Sequence, residues 1–566
     1  MISKLNGLDA MFLNVDRPHA ASHCTMIYIY DQSTVKGQRL GFRDVVRHIE
    51  GRLDASPTFR RKIVQVPFGL GYPYWVEDDL FDIDFHVRHF ALPKPCDWRQ
   101  FCILVSRIHA RAVDLSRAPW EMYVIEGLDN VEGIPKGSFA ILTKTHHAAT
   151  DGTAAAELTW ALHDLVGSRG KSVPVTEKKQ PASAKRTRFP YVDTFTRMVT
   201  DNVTASARMA VPLARVLPKL ATTGVRSFAR SLLAGDGGAP RTRFNADVSA
   251  KRVWDSVTLD LADIKRIKNL VPGATVNDAV LALIGGGLRR YLVAKDELPA
   301  KSLVSLAPVN TRQDASENQT AGNSVSMLRF PLGTHLDDPL ERLQAVQAAT
   351  SESKTVQQAI GARELTDLQK FTPPATLGLA GRLATATGMG GKGPVVLHNC
   401  MVTNVPGPNV PLYMLGAKLV HWGGVGPLVD GLSLIFNPTS YCGKLFISMT
   451  SAPNVLPDPE FLCQCLNASF EEMKQLADGE VEKVAAKQKV EAKPVKPAKK
   501  AAPARKARAP KAVVVETVES TRHGQFRHGL VGWVEPIMRD TKQRAPQAPF
   551  AFGWTISTMG AIKIRA

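Results

Sequence analysis

The chain has 566 residues, 44% hydrophobic and 22% charged, and 71 Lys and Arg against 52 Asp and Glu give it a net charge of +19. That length exceeds what one hydrophobic core usually supports, and the composition is that of a folded globular protein, so two domains with extensions are expected and wholesale disorder is excluded. The charge is uneven: residues 481–511 hold eleven Lys or Arg and two Glu, a net +9, so the excess says little about the main fold.

No long uninterrupted apolar run occurs, which argues against a spanning helix. The opening MISKLN has neither an apolar h-region nor a cleavage site, so no secretory signal is expected. Seven cysteines (24, 96, 102, 400, 442, 463 and 465) are scattered without a CxxC pair. They read as reduced thiols of a cytoplasmic protein, with no structural metal.

In chain order, residues 1–168 alternate short apolar runs with helical patterns. TMIYIYD (25–31), WEMYVIEGL (120–128) and SFAILTKTH (138–146) read as strands, and 42–53 as an amphipathic helix. A helix-forming stretch follows Asp151, which stands at the N-cap position. Residues 169–240 begin as a Lys/Arg/Pro/Ser-rich connector and continue as basic helices with an apolar face, suited to an anionic membrane surface or to packing as a linker.

A second body, 241–477, again mixes strands (SLVSLAPVN, NSVSMLRFPL, VVLHNCMVTNV, KLFISMTSA) with helices at 275–294 and 339–356. Residues 478–520 collapse to Ala, Lys and Pro and cannot bury enough apolar surface to order themselves, so a disordered, solvated tail is expected. Its charge alone offers contact with anionic lipid; nucleic acid is not expected as a partner. Residues 521–566 regain Trp and Phe without periodicity and give no reading.

The chemistry concentrates in THHAATDG (145–152). A pattern HHxxxDG arises by chance roughly once in a thousand chains of this length. Consecutive side chains at a strand end point to opposite faces, so only one of His146 and His147 can enter a given cleft. A neutral imidazole there can take a proton from an alcohol attacking an activated carbonyl. Asp151 can fix the loop by capping or by a salt bridge, and Gly152 permits a tight backbone.

At these residues the chain resembles the wax ester synthase/diacylglycerol acyltransferase family of the CoA-dependent acyltransferases. The likeness continues in LNGLDAMFLNVDRP (5–18) and in DLSRAPWEMYVIEGL (114–128), where Ala118-Pro119-Trp120 departs from the family's Pro-Leu-Trp order. It extends to Asn277 and Asp278 in TVNDAVLALIGGGLRRYL (275–292), to GNSVSMLRFPL and to TNVPGPNVPLYMLGAKL (403–419), so it covers roughly residues 1–475. It implies an α/β fold of two chloramphenicol-acetyltransferase-like domains, with mixed sheets and flanking helices around a central channel.

The resemblance further implies that His147 is the general base, with no acyl-enzyme and no cofactor, acyl-CoA being a substrate. The acceptor implied is a fatty alcohol or a diacylglycerol, met at a membrane or lipid-inclusion surface. Thr275-x-x-Asp278 is also a capping-box pattern, which makes Asp278 a helix cap and leaves Asn277 the better candidate to meet a developing oxyanion. Pro119 and Trp120 are expected to wall the site. TNVPGP reads as a rigid turn in which Asn404 bonds locally, and Arg312 is a candidate interdomain ion-pair partner. A condensation domain acylating amines shares HHxxxDG, and a non-enzymatic coat protein would use only the basic tail; these are the competing readings.

Overall fold

Apolar runs without polar alternation make strands covered on both faces, and the central strands here are of that kind. In the computed structural model the residues described are 3–5, 7–35, 37, 39–65, 72–149, 159–167, 238–310, 325–360 and 396–491. Asp151, Gly152, Arg312, nearly all of the connector 169–240 and the tail beyond residue 491 lie outside them.

The first part of the chain forms β1 (Ser3–Lys4), α1 (Gly7–Val15), β2 (His23–Asp31), α2 (Phe42–Glu50), β3 (Arg61–Val64), β4 (Tyr74–Glu77), α3 (Ile83–His86), β5 (Val87–Ala91), α4 (Trp98–His109), β6 (Trp120–Leu128) and β7 (Ser138–His146). The later part begins with β8 (Val253–Asp260), α5 (Leu261–Lys268), α6 (Val276–Ala294), β9 (Val304–Asn310), β10 (Val325–Pro331) and α7 (Pro339–Ile360). It ends with β11 (Cys400–Val402), β12 (Val405–Pro406), β13 (Tyr413–Met414), β14 (Ala417–Val425), β15 (Leu434–Tyr441), β16 (Lys444–Ser451) and α8 (Pro459–Glu491).

Two mixed sheets result, as expected. One has the order β13-β14-β2-β7-β6-β5, antiparallel except for the parallel β5–β6 edge. The other has the order β10-β9-β11-β15-β16-β8, with parallel pairing where β11 lies between β9 and β15. A small third sheet joins β1, β4 and β3. Tyr28, Tyr30, Met122, Val124, Phe139 and Ile141 pack on one face of the first sheet. Ile27, Ile29, Tyr123, Ile125, Ala140 and Leu142 pack on the other. The period of two is present, but both sets are buried.

Two strands were not legible as such. β14 comes from the later part of the chain yet pairs with β2 from Lys418↔Asp31 to Val425↔Thr25. Gly423 lies where the two sheets approach: a Cβ there would stand 3.0 Å from Ser448 Oγ on β16. Trp254 Nε1 of β8 donates to Gly424 O of β14 at 3.0 Å, which joins the two sheets, and the half-buried Trp98 Nε1 donates to Asp255 Oδ1 at 2.8 Å, which joins α4 to β8. The expected turn at 403–408 in fact contains β12, which runs parallel to β15.

α6 carries three successive glycines that would weaken an isolated helix. Their reason is close packing: a Cβ on Gly285 would lie 2.0 Å from the Leu332 carbonyl oxygen. Met1–Gln313 and Asn318–Lys483 cluster as one unit. The second unit, Asp314–Glu317 and Val484–Ala566, contains among described residues only the last turns of α8.

Candidate active site

All nine residues of β7 are buried, and the strand ends in the two histidines. His146 makes the last paired position, opposite His23. Its main-chain N–H donates to Pro119 O at 3.0 Å, and that of His147 donates to Ser22 O at 2.7 Å. The chain then turns through a short 3-10 segment, His147–Ala149.

The two imidazoles have different surroundings. His146 is 1% exposed. Its Nδ1 accepts from the Ala148 N–H at 3.2 Å, which requires that nitrogen to be unprotonated. The proton therefore sits on Nε2, which donates to Asp16 Oδ2 at 3.2 Å. Asp16 Oδ1 also accepts the Ser22 N–H at 2.5 Å. Burial pushes the Asp16 carboxyl up, but the bonds to His146 and Ser22 outweigh it and leave the group below its ordinary value.

His147 is half-buried, and its ring stacks on Phe12 of α1 with centroids 3.7 Å apart and planes at 18°. Nδ1 is enclosed without a hydrogen-bond partner beyond its own main chain. Burial pushes this imidazole down to about 4, against the main-chain contact that raises it. At neutral pH it is uncharged and keeps a basic lone pair.

A buried cation underlies the strand end. Lys144, on the same face of β7 as His146, is fully buried and donates to Ile108 O at 3.0 Å and to Arg111 O. Glu121 Oε2 lies 3.7 Å from its Nζ. Burial lowers this ammonium to about 8 and Glu121 opposes the shift. Sequence reasoning missed Lys144, Glu121, Phe12 and Asp16. The pairing of Asp16 with His146 spans 130 residues and leaves no local signal.

Trp120, 2% exposed, stacks on His86 at 4.4 Å and donates from Nε1 to Phe59 O at 3.0 Å. Pro119 precedes it and accepts the His146 main-chain N–H with its carbonyl, while the Trp120 ring packs among Phe59, Phe81 and His86.

Asn277, Asp278 and Asn404 come together at the start of α6. The Thr275 main-chain N–H donates to Asp278 Oδ2 at 2.7 Å, the Thr275 hydroxyl donates to the same oxygen at 2.8 Å, and Thr350 Oγ1 donates to Oδ1 at 2.8 Å. Both carboxylate oxygens are thus occupied in a cap, as the T-x-x-D pattern suggests. Asn404 does not bond locally: its Nδ2 donates at 3.4 Å to Asn277 Oδ1, 127 residues away. That contact engages the Asn277 amide oxygen and not its nitrogen. Among the described residues no group of three or more His, Cys, Asp and Glu could hold a metal ion.

Residues 5–280 match the family described as wax ester synthase/diacylglycerol acyltransferase catalytic domain, and residues 321–474 match the WS/DGAT C-terminal domain. The chain is 30% identical over 490 residues to the O-acyltransferase WSD of Acinetobacter baylyi, covering 85% of this chain and 98% of that protein. A Mycobacterium tuberculosis protein named provisionally as a diacylglycerol O-acyltransferase is 30% identical over 482 residues, 83% of this chain and 91% of its own length. Among solved structures, the wax ester synthase/diacylglycerol acyltransferase of Marinobacter aquaeolei shares the fold with a TM-score of 0.59 at 24% identity, over 84% of this chain and all of that one.

Proposed function

Because the chain belongs to the wax ester synthase/diacylglycerol acyltransferase family, we propose that His147 is the base with which this O-acyltransferase moves a long-chain acyl group from acyl-CoA to a fatty alcohol or a diacylglycerol. The observation that carries the role is the contrast within the histidine pair. His146 spends both ring nitrogens on structural bonds, whereas the His147 imidazole is neutral and its Nδ1 meets nothing but its own main chain among the described residues.

In the reaction, the acceptor hydroxyl gives its proton to the His147 imidazole as its oxygen attacks the thioester carbonyl carbon. The tetrahedral intermediate collapses with cleavage of the C–S bond, and the imidazolium returns the proton to the departing CoA thiolate. No covalent acyl-enzyme forms and no cofactor takes part. A base with so low a proton affinity cannot deprotonate an alcohol outright, so proton transfer accompanies attack. The Asn277 amide is a suitable donor to the developing oxyanion.

Purified protein given palmitoyl-CoA with hexadecanol, with a diacylglycerol, or with an aminoacyl thioester tests this reading. Ester product with either hydroxyl acceptor is expected; amide product alone, or hydrolysis alone, overturns it. Asn277→Ala is expected to lower kcat about a hundredfold with stability little changed. Asp278→Ala removes a cap and the buried carboxylate that Thr275 and Thr350 meet, so it is expected to destabilise the fold by about 2 kcal/mol, read by urea unfolding, and to lower kcat less than Asn277→Ala does.

Among the described residues no helix is long and apolar enough to cross a membrane. We place the enzyme in the cytoplasm at the surface of a membrane or lipid inclusion. In support, its substrates are long and apolar, and Leu165 and Val166, just before the basic connector, are 61% and 64% exposed.

A further inference from the structure

The loop between α1 and β2 touches the site at more points than a connection requires. It begins with Asp16, one helical turn beyond Phe12, so the carboxylate and the ring that stacks on His147 leave the same side of this segment. It ends with Ser22, whose carbonyl receives the His147 N–H at 2.7 Å. Midway, His19 Nε2 lies 3.0 Å from Asp430 Oδ2, and Arg252 Nη2 donates to His19 O at 2.8 Å, which ties the loop to the later part of the chain.

Four hydrogen bonds close a circuit around His147. Asp16 Oδ1 takes the Ser22 N–H at 2.5 Å and Ser22 O takes the His147 N–H at 2.7 Å, fixing the residue from its amino side. Asp16 Oδ2 takes the His146 Nε2–H and His146 Nδ1 takes the Ala148 N–H, both at 3.2 Å, fixing it from its carboxyl side. One carboxylate therefore anchors both arms, and the same carboxylate selects the His146 tautomer able to accept from Ala148.

We infer that Asp16 is a positioning residue for acyl transfer, holding the His147 main chain from both sides through His146 and Ser22. It touches no substrate. The inference rests on His147 being the base, and it goes further by assigning the opening segment of the chain to the chemistry.

The test compares Asp16→Ala, Asp16→Asn, His146→Ala, the Asp16→Ala/His146→Ala double variant and His147→Ala in the palmitoyl-CoA assay, with a thermal melt of each. Misplacement of a base by a fraction of an ångström to an ångström costs on the order of ten- to a hundredfold. Asp16→Ala is thus expected to lower kcat about thirtyfold with KM for acyl-CoA within about twofold. Asp16→Asn still accepts from His146 Nε2–H but sets an amide against the Ser22 N–H, or the reverse, so it should fall between the wild type and alanine. The double variant should lose less than the product of the two single losses, because the arms share one anchor.

A kcat within twofold of wild type for Asp16→Ala, or a double loss equal to the product, overturns the inference. If Asp16→Ala does not fold, Asp16→Asn decides: a wild-type kcat there overturns it. Full activity in His147→Ala would instead sink the base assignment itself, so the two failures are separable.

Discussion

Replacing His147 by alanine is expected to lower kcat about a thousandfold while leaving the fold and the binding of acyl-CoA in place, the range a positioned general base supplies. The wild-type pH profile sharpens this. The imidazole must be uncharged to accept a proton, and burial holds its titration near 4. Hence kcat/KM should stay flat from pH 8 down to about 6, above the range where the fold itself loses most of its stability, whereas a base titrating at 6.5 would already have lost more than half its rate there. An ordinary histidine would give a limb near 6.5. Phe12→Ala bares one face of the ring to water, so the limb should move up toward that ordinary value, lowering the rate at pH 6 more than at pH 8. Should the wild-type limb lie at 6.5 and ignore Phe12, either the enclosure of His147 or its role as base is wrong.

Local pattern revealed what local forces decide. The predicted strands at 120–128 and 138–146 coincide with β6 and β7, because each is a buried run bounded by turn residues. The cap at Asp278 was legible because Thr275 lies within one turn of it. β14 was not, because HWGGVG lacks an alternating pattern and its place is set by β2, nearly four hundred residues earlier. The same distance problem hid the site's supports. The proposed base His147 was named from HHxxxDG and the family likeness, but the contrast in surroundings between it and His146 rests on Asp16 and Phe12, whose side chains meet the pair only after the sheet has formed. The candidate motif was therefore readable in the sequence, and the contacts that surround it were not.

The buried histidines that shape the core predict a second large effect, a steep loss of stability in mild acid. His23 and His421 are pushed down to about 3 and His163 to about 4, in each case first by burial. The hydrogen bonds of the neutral rings oppose a second proton on some of them, since the hydroxyl would have to turn from donor to acceptor: His163 donates from Nδ1 to Thr159 O and accepts at Nε2 from the Tyr30 hydroxyl. His109 likewise accepts at Nδ1 from Thr25 and donates from Nε2 to Gly426 O. In the unfolded chain each would titrate at its ordinary 6.5. Between that value and the folded values the unfolded state binds more protons, so stability is full above pH 6.5 and is lost as pH falls toward 4. At pH 5 each such group costs about 2 kcal/mol, and His23, His163 and His421 together about 6 kcal/mol, comparable with the whole stability of many domains. Urea unfolding followed by circular dichroism should show the midpoint dropping sharply from pH 7.5 to 5. His421 is the cleanest probe, since its Nε2 is buried without a partner among the described residues and its ring faces Phe446 and Trp98. His421→Phe should flatten the pH dependence by about one proton and make the variant more stable than the wild type at pH 5 relative to pH 7.5. A midpoint that does not move between those pH values would show that water reaches these imidazoles in the folded protein and that burial does not keep them neutral.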